Sequence, residues 1–355
     1  MMMQQRERTR RSLIQHDQNY PRLQTEDVLK FLHQSAFGCE HLASSLASAT
    51  ASVCREYAEG VHQEEIVRLD GAYSRVPLSY LDHGLDAQTL AKLFMASAKN
   101  EPNGKQLLEN KLDVAQELVR AGKLPFSPAE FERAVEEWKA AGFPAVHHSD
   151  EFRRAYRPAY RVISNDYLPF LPLLAKLDQL LKERPIVVAV EGGSASGKTT
   201  VSARLAEWYD ANVFHMDDFF LRPEQRTPER YREVGGNLDR ERFLAEVLIP
   251  LSQNEPIRYR RFDCSTMTMA PPVTREPKRL TIVEGVYSMH PAFSAYYDVS
   301  VFLDIPPALQ KKRIETRNTP PMAQRFFREW IPLEQTYFKE MQVKQRCDLS
   351  VSISE

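Results

Sequence analysis

The sequence predicts an α/β domain with a mostly parallel sheet flanked by helices, preceded by a mainly helical N-terminal domain. Its 355 residues exceed the usual size of one domain, about 150 residues, so we expect two domains. Up to about residue 183 the apolar residues recur mostly at helical spacing. From residue 184 onward, short apolar strands alternate with helical segments, which is typical of a parallel sheet. We therefore divide the chain into residues 1–183 and 184–355.

The composition is typical of a globular protein and argues against a membrane-spanning one. Hydrophobic residues make up 43% and charged residues 27% of the chain, and 47 Lys and Arg balance 48 Asp and Glu. These values are ordinary for a globular protein, and no run approaches the roughly 18 apolar residues of a membrane span. The near-neutral charge does not favour a nucleic-acid partner. Four scattered cysteines and an Arg-rich start without an apolar core favour reduced thiols and a cytoplasmic location.

A glycine-rich loop follows the first predicted strand of the second domain, 186–190. Its sequence fits G-x-x-x-x-G-K-[ST] without deviation, and a helix follows it, so we predict a nucleotide site rather than a simple glycine turn. Inward-turned backbone N–H groups and the helix N-terminus suit phosphates. Lys198 can reach the β- and γ-phosphates of ATP or GTP, and the Thr199 hydroxyl can ligate Mg²⁺. The predicted nucleotide-binding residues are Gly192, Gly193, Ser194, Ala195, Ser196, Gly197, Lys198, Thr199 and Thr200.

Acidic residues follow two further predicted strands, 211–216 and 280–283. Ligands of open α/β sheets collect at the carboxyl ends of the strands, where a carboxylate can accept a proton from a substrate hydroxyl. Asp217 comes first after its strand and is the candidate base. Asp218 can equally cap a helix or contact a metal through water, and the pair can also simply cap a turn. Glu284 is a candidate ligand of Mg²⁺.

A later helix carries cationic residues. Arg313 and Arg317 are four residues apart, so they share one face of that helix. Beside a phosphate loop they can form a cationic lid that stabilises charge on a transferred phosphoryl group, whereas the alternative is a solvated charged face. Asp304, at the end of the preceding strand, is expected to shape a turn.

An ordered set of motifs in residues 184–355 resembles the uridine kinase branch of the phosphoribulokinase/uridine kinase family. The set is GGSASGKTT (192–200), MDDFF (216–220), GGNLD (235–239), RFD (261–263), VEGVY (283–287) and FLD (302–304), followed by Arg313 and Arg317. The resemblance implies a P-loop NTPase fold and a Mg²⁺-dependent kinase. Such a kinase transfers the γ-phosphoryl group of ATP or GTP to a small acceptor, typically the 5′-hydroxyl of uridine or a related nucleoside.

The resemblance also implies roles for individual residues. Asp217 is the implied base, Lys198 contacts phosphate, and Arg313 and Arg317 contact phosphate or close over it. Thr199 and Glu284 are the implied Mg²⁺ ligands. The residues implied to bind the acceptor are Phe220, Asp239 for ribose hydroxyls, Phe262 against the base, and Asp263.

Two segments depart from the family's pattern. The usual Asn-Phe-Asp-His-Pro is Asn-Leu-Asp-Arg-Glu at 237–241, and the usual Tyr-Asp-Phe is Phe-Asp-Cys at 262–264. Because these segments recognise the nucleoside, acceptors such as pantothenate or a sugar phosphate stay open. A nucleotide-dependent switch or ATPase acting on the N-terminal domain or a partner is a further alternative, as is phosphorylation of a nucleic-acid end.

Residues 1–183 match no family that we recognise from motifs. Cys39, Glu40 and His41, with His147 and His148, can form a metal site, but a broken helix end at Gly38 explains them as well. Four arginines interleaved with tyrosines can bind an anionic ligand or nucleic acid, or form a packing surface; they are Arg153, Arg154, Arg157 and Arg161. A second enzyme, a regulator and a dimerisation module are all compatible with this half, and a homo-oligomer is left open.

Overall fold

The computed structural model describes residues 2–38, 45–60, 64–98 and 103–354. The chain divides into two compact units, residues 1–175 and 176–355. The second unit therefore begins eight residues before the boundary that the sequence predicts at 184. Among the described residues, no helix combines the length and the apolar character needed to cross a membrane.

The first unit is mainly helical, as predicted. Asp86 caps one of its helices by accepting a hydrogen bond from the backbone N–H of Gln88 (2.8 Å). Another helix begins at Pro128, where the missing N–H of proline costs nothing. The helices are α1 (Met2–Asn19), α2 (Thr25–Phe37), α3 (Leu46–Ala58), α4 (Ala87–Ser97), α5 (Gly104–Arg120), α6 (Pro128–Ala140), α7 (Asp150–Tyr156) and α8 (Leu171–Glu183), the last of which ends in the second unit.

A small antiparallel sheet lies among these helices. It consists of β1 (Val67–Arg68), β2 (Tyr73–Pro77) and β3 (Tyr160–Ser164), in that order. Apolar and aromatic residues in 66–80, interrupted by Gly71 and Pro77, are compatible with the extended segments β1 and β2, but no local pattern indicates β3. Strand β3 pairs with β2 from Tyr73 opposite Ser164 to Pro77 opposite Tyr160, so it depends on a partner far away in the chain.

The second unit is built on a five-stranded parallel sheet, which confirms the predicted α/β fold of the P-loop type. The strands of this unit are β4 (Ile186–Gly192), β5 (Asn212–His215), β6 (Ile257–Asp263), β7 (Thr268–Arg275), β8 (Leu280–Glu284), β9 (Val299–Asp304) and β10 (Leu349–Ser352). The sheet has the order β10-β9-β4-β8-β5. Strands β6 and β7 instead form a separate antiparallel hairpin, which interrupts the predicted alternation of strand and helix.

Helices and an aromatic core support the sheet. Helix α9 packs on β4, β5 and β8, directly after the glycine-rich loop. A short 3₁₀ turn, Met216–Phe219, follows β5, and its Phe219 meets Phe243 edge to face with ring centroids 4.9 Å apart. This packing anchors the turn that carries Asp217. The helices are α9 (Lys198–Tyr209), α10 (Pro228–Arg232), α11 (Arg240–Phe243), α12 (Ile249–Ser252), α13 (Pro307–Arg317), α14 (Pro320–Arg325), α15 (Ile331–Glu340) and α16 (Val343–Arg346).

Candidate nucleotide-binding and catalytic site

The glycine-rich loop joins β4 to α9 and takes a backbone path that requires glycine. Gly192 has φ of 149°, and a Cβ atom there would lie 2.6 Å from the carbonyl oxygen of Leu303. Gly197 has φ of 101° and stands at the N-terminal cap of α9. These positions bring the backbone against the neighbouring strand and turn it into the helix. The path of the loop at these two positions therefore depends on glycine.

Lys198 lies inside the loop that it is predicted to serve. Its side chain is buried, and Nζ donates hydrogen bonds to the carbonyl oxygens of Gly192 (2.8 Å) and Gly193 (2.9 Å). The ammonium group is thus held at the centre of the loop by weak neutral acceptors. It can exchange them for phosphate oxygens, which form stronger charge-assisted hydrogen bonds.

Side chains from two later helices brace the loop. The Ser194 backbone N–H donates to Oε2 of Glu334 (2.9 Å), and the Ser194 hydroxyl donates to Oε1 of the same buried carboxylate. Gln310 donates from Nε2 to the Ser194 carbonyl (2.9 Å), and Arg313 donates from Nη1 to the Ala195 carbonyl (3.3 Å). Arg313 therefore contacts the loop, where the predicted lid would act. Glu334 and Gln310 escaped the sequence reasoning because they follow the loop by more than 110 residues.

Thr199 and Glu284 come together at the neighbouring strand end. The Thr199 hydroxyl donates to Oε1 of Glu284 (3.0 Å), and the carboxylate is buried. Both groups present hard oxygen atoms beside the phosphate loop, the donor type that Mg²⁺ prefers. The residues present therefore fit a Mg²⁺ ion held jointly by the protein and by phosphate oxygens.

His215 is a member of the site that the sequence reasoning missed. The parallel register of β5 and β8 places it opposite Glu284, and Nδ1 lies 2.5 Å from Glu284 Oε1. This hydrogen bond raises the pKa of His215 above its ordinary value. Both residues lie at the ends of strands, which is where the sequence predicts the site. The sequence does not show, however, that β5 and β8 are neighbours or that their register places His215 opposite Glu284.

Asp217 occupies the 3₁₀ turn after β5, at the same edge of the sheet as the loop. The surrounding protein raises the pKa of its carboxyl group by displacing water, while Lys198 opposes the rise and Glu284 adds to it. The side chain nevertheless stays exposed, so solvent screens these charges and we expect a modest change. The positive charge of Arg317 also acts on this carboxyl group, which relates that arginine to the candidate base.

Asp218 differs from its neighbour in its surroundings. Its Oδ2 is buried without a hydrogen-bond partner among the described residues, and burial raises the pKa of its carboxyl group. Its backbone carbonyl accepts a hydrogen bond from Nη2 of Arg242 (2.8 Å). Asp218 therefore anchors the turn through its backbone, while its Oδ2 atom is buried without a hydrogen bond to the described residues.

Asp239, predicted to bind ribose hydroxyls, is already engaged within the protein. It is almost fully buried, caps α11 by accepting from the Arg242 N–H (3.2 Å), and pairs with Arg242 Nε (3.3 Å) and Arg222 Nε (3.8 Å). The role in acceptor binding remains a prediction, and it would require the carboxylate to share its oxygens with these arginines.

The other predicted acceptor residues lie around the β6–β7 hairpin and the turn after β5. Phe262 is buried, with the Arg226 guanidinium 5.9 Å from its ring centroid. Phe220 is half-buried and forms a β-bridge with Leu238. Asp263 is exposed and accepts from the backbone N–H (2.8 Å) and hydroxyl (2.6 Å) of Ser265, which lowers the pKa of its carboxyl group. Asp263 thus closes the hairpin turn.

Glu191 immediately precedes the loop and is the charged residue of the otherwise uncharged strand β4, and no sequence motif assigns it a role. Its buried carboxylate accepts from the backbone N–H groups of Gly192 (2.8 Å) and Met289 (3.1 Å) and from the Tyr337 hydroxyl (3.0 Å). Burial raises its pKa to about 7, although these donors and Lys198 favour the charged form. Glu191 therefore ties the start of the loop to two other parts of the unit.

The residues that could form a metal site in the first unit, as an alternative to a broken helix end, lie partly outside the described residues. Cys39, Glu40 and His41 lie outside the described residues. His147 is exposed, whereas His148 is buried, with Nδ1 2.7 Å from Asp27 Oδ1 and Nε2 2.7 Å from the Tyr160 hydroxyl. Within the ranges that the structure describes, no three His, Cys, Asp or Glu residues are grouped to hold a metal ion.

The chain is similar to uridine kinases over about a third of its length. It is 29% identical over 134 residues to a uridine kinase of Oceanobacillus iheyensis, a match covering 35% of this chain and 63% of that protein. It is 30% identical over 135 residues to the uridine kinase of Latilactobacillus sakei, covering 35% and 62%. The chain thus spans less than two thirds of these relatives. No protein-family model matches it.

Solved structures resemble about half of the chain. A Bacillus stearothermophilus protein described as a possible uridine kinase aligns with 50% of this chain and 98% of its own, at 20% identity and a TM-score of 0.39. A shikimate kinase of Bacteroides thetaiotaomicron aligns with 46% of this chain and 85% of its own, at 14% identity and a TM-score of 0.26. The other half of the chain is unrecognised.

Proposed function

We propose that this protein is a kinase that transfers the γ-phosphoryl group of ATP or GTP to a hydroxyl of a small acceptor, with uridine or a related nucleoside favoured. The observation that carries the proposal is the convergence of a phosphate loop, a candidate base and an oxygen-donor pair on one edge of the parallel sheet. Lys198 and Thr199 follow β4, Asp217 follows β5, and Glu284 ends β8. The similarity to uridine kinases supports the same reaction.

Each group has a part in phosphoryl transfer, a reaction that depends mainly on positioning and charge neutralisation. Asp217 accepts the proton of the acceptor hydroxyl while that oxygen bonds to the γ-phosphorus. The bond from the γ-phosphorus to the bridging oxygen breaks, and the nucleoside diphosphate leaves. Lys198, Arg313 and Arg317 bind the charged phosphate oxygens. Thr199 and Glu284 are the residues that would hold Mg²⁺, which when bound neutralises phosphate charge.

The residues that would bind the acceptor decide which alcohol is phosphorylated. Phe220, Asp239, Phe262 and Asp263 would form the acceptor site, and Arg222 and Arg242 would share the Asp239 carboxylate with a hydroxyl of the acceptor. The altered segments 237–241 and 262–264 are the parts of the chain where another alcohol, such as pantothenate or a sugar phosphate, would be selected.

An acceptor screen tests the proposal. Purified protein with Mg²⁺ and ATP or GTP is offered uridine, cytidine, pantothenate and sugar phosphates, and the release of ADP or GDP is measured. We expect release that depends on uridine or cytidine. Turnover of another alcohol with both nucleosides inert would overturn the nucleoside assignment. Hydrolysis at one rate with every acceptor would instead favour a nucleotide-dependent switch.

Asp217→Asn tests the base directly. Because asparagine cannot accept the proton, we expect kcat to fall by roughly 10² to 10⁴-fold while the affinity for nucleotide changes little. The matched control is Asp304→Asn, which makes the same substitution at the end of β9, where the carboxylate pairs with Lys344 (2.6 Å). Equal turnover in the two variants would remove Asp217 from the mechanism.

A further inference from the structure

A large cavity lies within the first unit. Its volume is about 1020 Å³, and the described residues that line it come from α2, α3 and the two residues that follow α3, α4, and the segment 147–162. This volume lies just above the usual range for small-molecule sites, roughly 300 to 1,000 Å³. Nothing in the proposed phosphoryl transfer uses these residues.

The lining of the cavity is strongly cationic. Among the described residues that line it, the charged members are five cations and the two carboxylates of Glu56 and Glu59; the cations are Lys30, Arg55, Arg153, Arg157 and Arg161. Glu56 is occupied by Arg161, which donates from Nη1 and Nη2 to its two oxygens at 2.9 and 2.8 Å. The remaining positive charge therefore exceeds the remaining negative charge on the wall.

Buried groups beneath the wall add to this positive field. Arg75 is 1% exposed, donates from Nε to Oε1 of the lining residue Gln34 (2.9 Å), and has its guanidinium carbon 4.7 Å from the Tyr160 ring centroid. Its Nη2 is buried without a hydrogen-bond partner among the residues that the structure describes. Burial, together with the charges of Arg75 and Arg153, lowers the pKa of Lys30 to about 8, while the Asp27 carboxylate opposes the shift.

The cavity also has an apolar wall. Phe94, Pro158, Ala159 and Val162 line it together with the half-buried ring of Tyr160. The Arg161 guanidinium carbon lies 5.9 Å from the Phe94 ring centroid, so charged and aromatic surfaces adjoin. A ligand with an anionic group and an organic body would meet a complementary surface for each part.

We propose that this cavity binds a small molecule that carries phosphate. Arginine guanidinium groups bind phosphate oxygens through paired hydrogen bonds, and several of them are needed to balance more than one negative charge. The cavity is open to solvent on one side, but its limited volume and its partly apolar wall favour a small ligand over a nucleic-acid strand. Inorganic phosphate and an organic phosphate ester share this chemistry, and binding measurements distinguish them.

The first test uses the full-length chain with the Lys198→Ala substitution, which weakens phosphate binding at the glycine-rich loop. Calorimetry then measures the affinities for inorganic phosphate, pyrophosphate, a sugar phosphate and a single-stranded oligonucleotide. We expect pyrophosphate or the sugar phosphate to bind. Tighter binding of the sugar phosphate than of inorganic phosphate indicates an organic ligand, and equal binding indicates inorganic phosphate. Binding of the oligonucleotide alone, or of nothing, would overturn the proposal.

The arginines provide a matched pair of variants in the same background. Arg153→Gln with Arg157→Gln removes two exposed cations of the wall, whereas Arg154→Gln removes an exposed neighbour that pairs with Glu151 and does not line the cavity. Losing charge-assisted hydrogen bonds should weaken pyrophosphate or sugar phosphate binding by roughly tenfold or more in the double variant. The control should stay within about twofold. Equal affinities for the two would contradict the proposal.

Chemical labelling of Lys30 gives a second measurement that needs no substitution. With a pKa of about 8, its amine is partly neutral and reacts with acetic anhydride at pH 8. Saturating pyrophosphate or sugar phosphate, whichever binds in the calorimetry, should slow acetylation of Lys30 by at least about threefold, because the anion raises the pKa of the amine and its bulk blocks access. Lys139, an exposed residue outside the lining, serves as the control. An unchanged rate at Lys30 would count against the site.

Discussion

Arg242 connects the parts of the chain that surround the candidate base. It donates from Nη2 to the Asp218 carbonyl (2.8 Å), from Nη1 to the Arg260 carbonyl (2.6 Å), and from Nε to Asp239 (3.3 Å). Its guanidinium carbon also lies 4.3 Å from the Phe219 ring centroid. One side chain thus joins the turn after β5, the β6–β7 hairpin and the start of α11.

Replacing Arg242 tests this connection. Arg242→Ala leaves the nearly buried Asp239 carboxylate without its closest cation, so we expect the free energy of unfolding to fall by about 3 kcal/mol. Arg232→Ala, which breaks an exposed pair with Glu229, should change it by less than about 0.5 kcal/mol. Denaturant titration measures both, and similar losses would refute the special role of Arg242.

Glu191 makes stability depend on pH. Its folded pKa of about 7 lies above the value of 4.5 for an unperturbed glutamate, so the folded state binds more protons than the unfolded state between these values. The stabilising contribution of the protonated group is complete below about 4.5 and is lost as the pH rises through 7.

Comparison with Glu191→Gln isolates this effect. The amide cannot titrate, so the unfolding free energy of the original chain should fall relative to the variant by up to about 1.4 kcal/mol per pH unit between 4.5 and 7. The amide also meets backbone donors less well, but that cost is the same at every pH. Denaturation of both chains from pH 4.5 to 8 provides the measurement, and parallel curves would disprove the titration.

At the scale of elements, the phosphate loop depends on its junction with the sheet. Strand β4 is central, with β8 on one side and β9 on the other, and the loop leaves it where Gly192 is paired with Leu303 of β9. A Cβ atom on Gly192 would meet the carbonyl of that same residue. The loop is therefore shaped by its neighbouring strand as well as by its own residues.

Two glycine-to-alanine substitutions distinguish the cost of an unfavourable φ angle from the cost of a steric clash. Gly192→Ala combines an unfavourable φ with a backbone contact at 2.6 Å, so we expect a loss of about 3 kcal/mol or more and weaker nucleotide binding. Gly197→Ala has an unfavourable φ but no atom within 4 Å of the added Cβ, so about 1 to 2 kcal/mol is expected. Thermal and denaturant unfolding rank the variants, and the reverse order would contradict this explanation.

At the scale of the whole molecule, the chain divides inside α8 rather than after it. Side chains of the second unit contact the C-terminal part of this helix: the Tyr209 hydroxyl donates to Asp178 (2.8 Å), and Arg279 donates to the Leu181 carbonyl. We propose that α8 belongs to the folding unit of the C-terminal half.

Shortened chains test where this unit begins. A chain starting at Leu171 keeps these contacts, whereas one starting at Arg184, the boundary that the sequence predicts, loses them. We expect the shorter chain to have an unfolding midpoint lower by at least about 3 °C, since each lost hydrogen bond contributes about 1 kcal/mol. Scanning calorimetry provides the comparison. Equal midpoints would support the boundary at 184.

Local patterns in the sequence predict only part of the candidate site. The loop 192–200 is one contiguous motif, and Asp217 and Glu284 follow recognisable strands. His215 and Glu334 were missed because each gains its role from a partner in another element. His215 depends on the register of β5 against β8, and Glu334 lies 140 residues after Ser194. Strand β3 was missed for the same reason.

The sequence by itself determined that this chain contains a phosphate loop in a parallel α/β fold, since both follow from short patterns of apolar and glycine residues. Only the tertiary structure decided which polar groups share their hydrogen bonds. It engages Asp239 with Arg242, leaves Asp218 Oδ2 without a partner among the described residues, and gathers cations from α2, α3 and residues 153–161 around a cavity. These side-chain contacts depend on packing between segments that are distant in the sequence, which local sequence patterns do not encode.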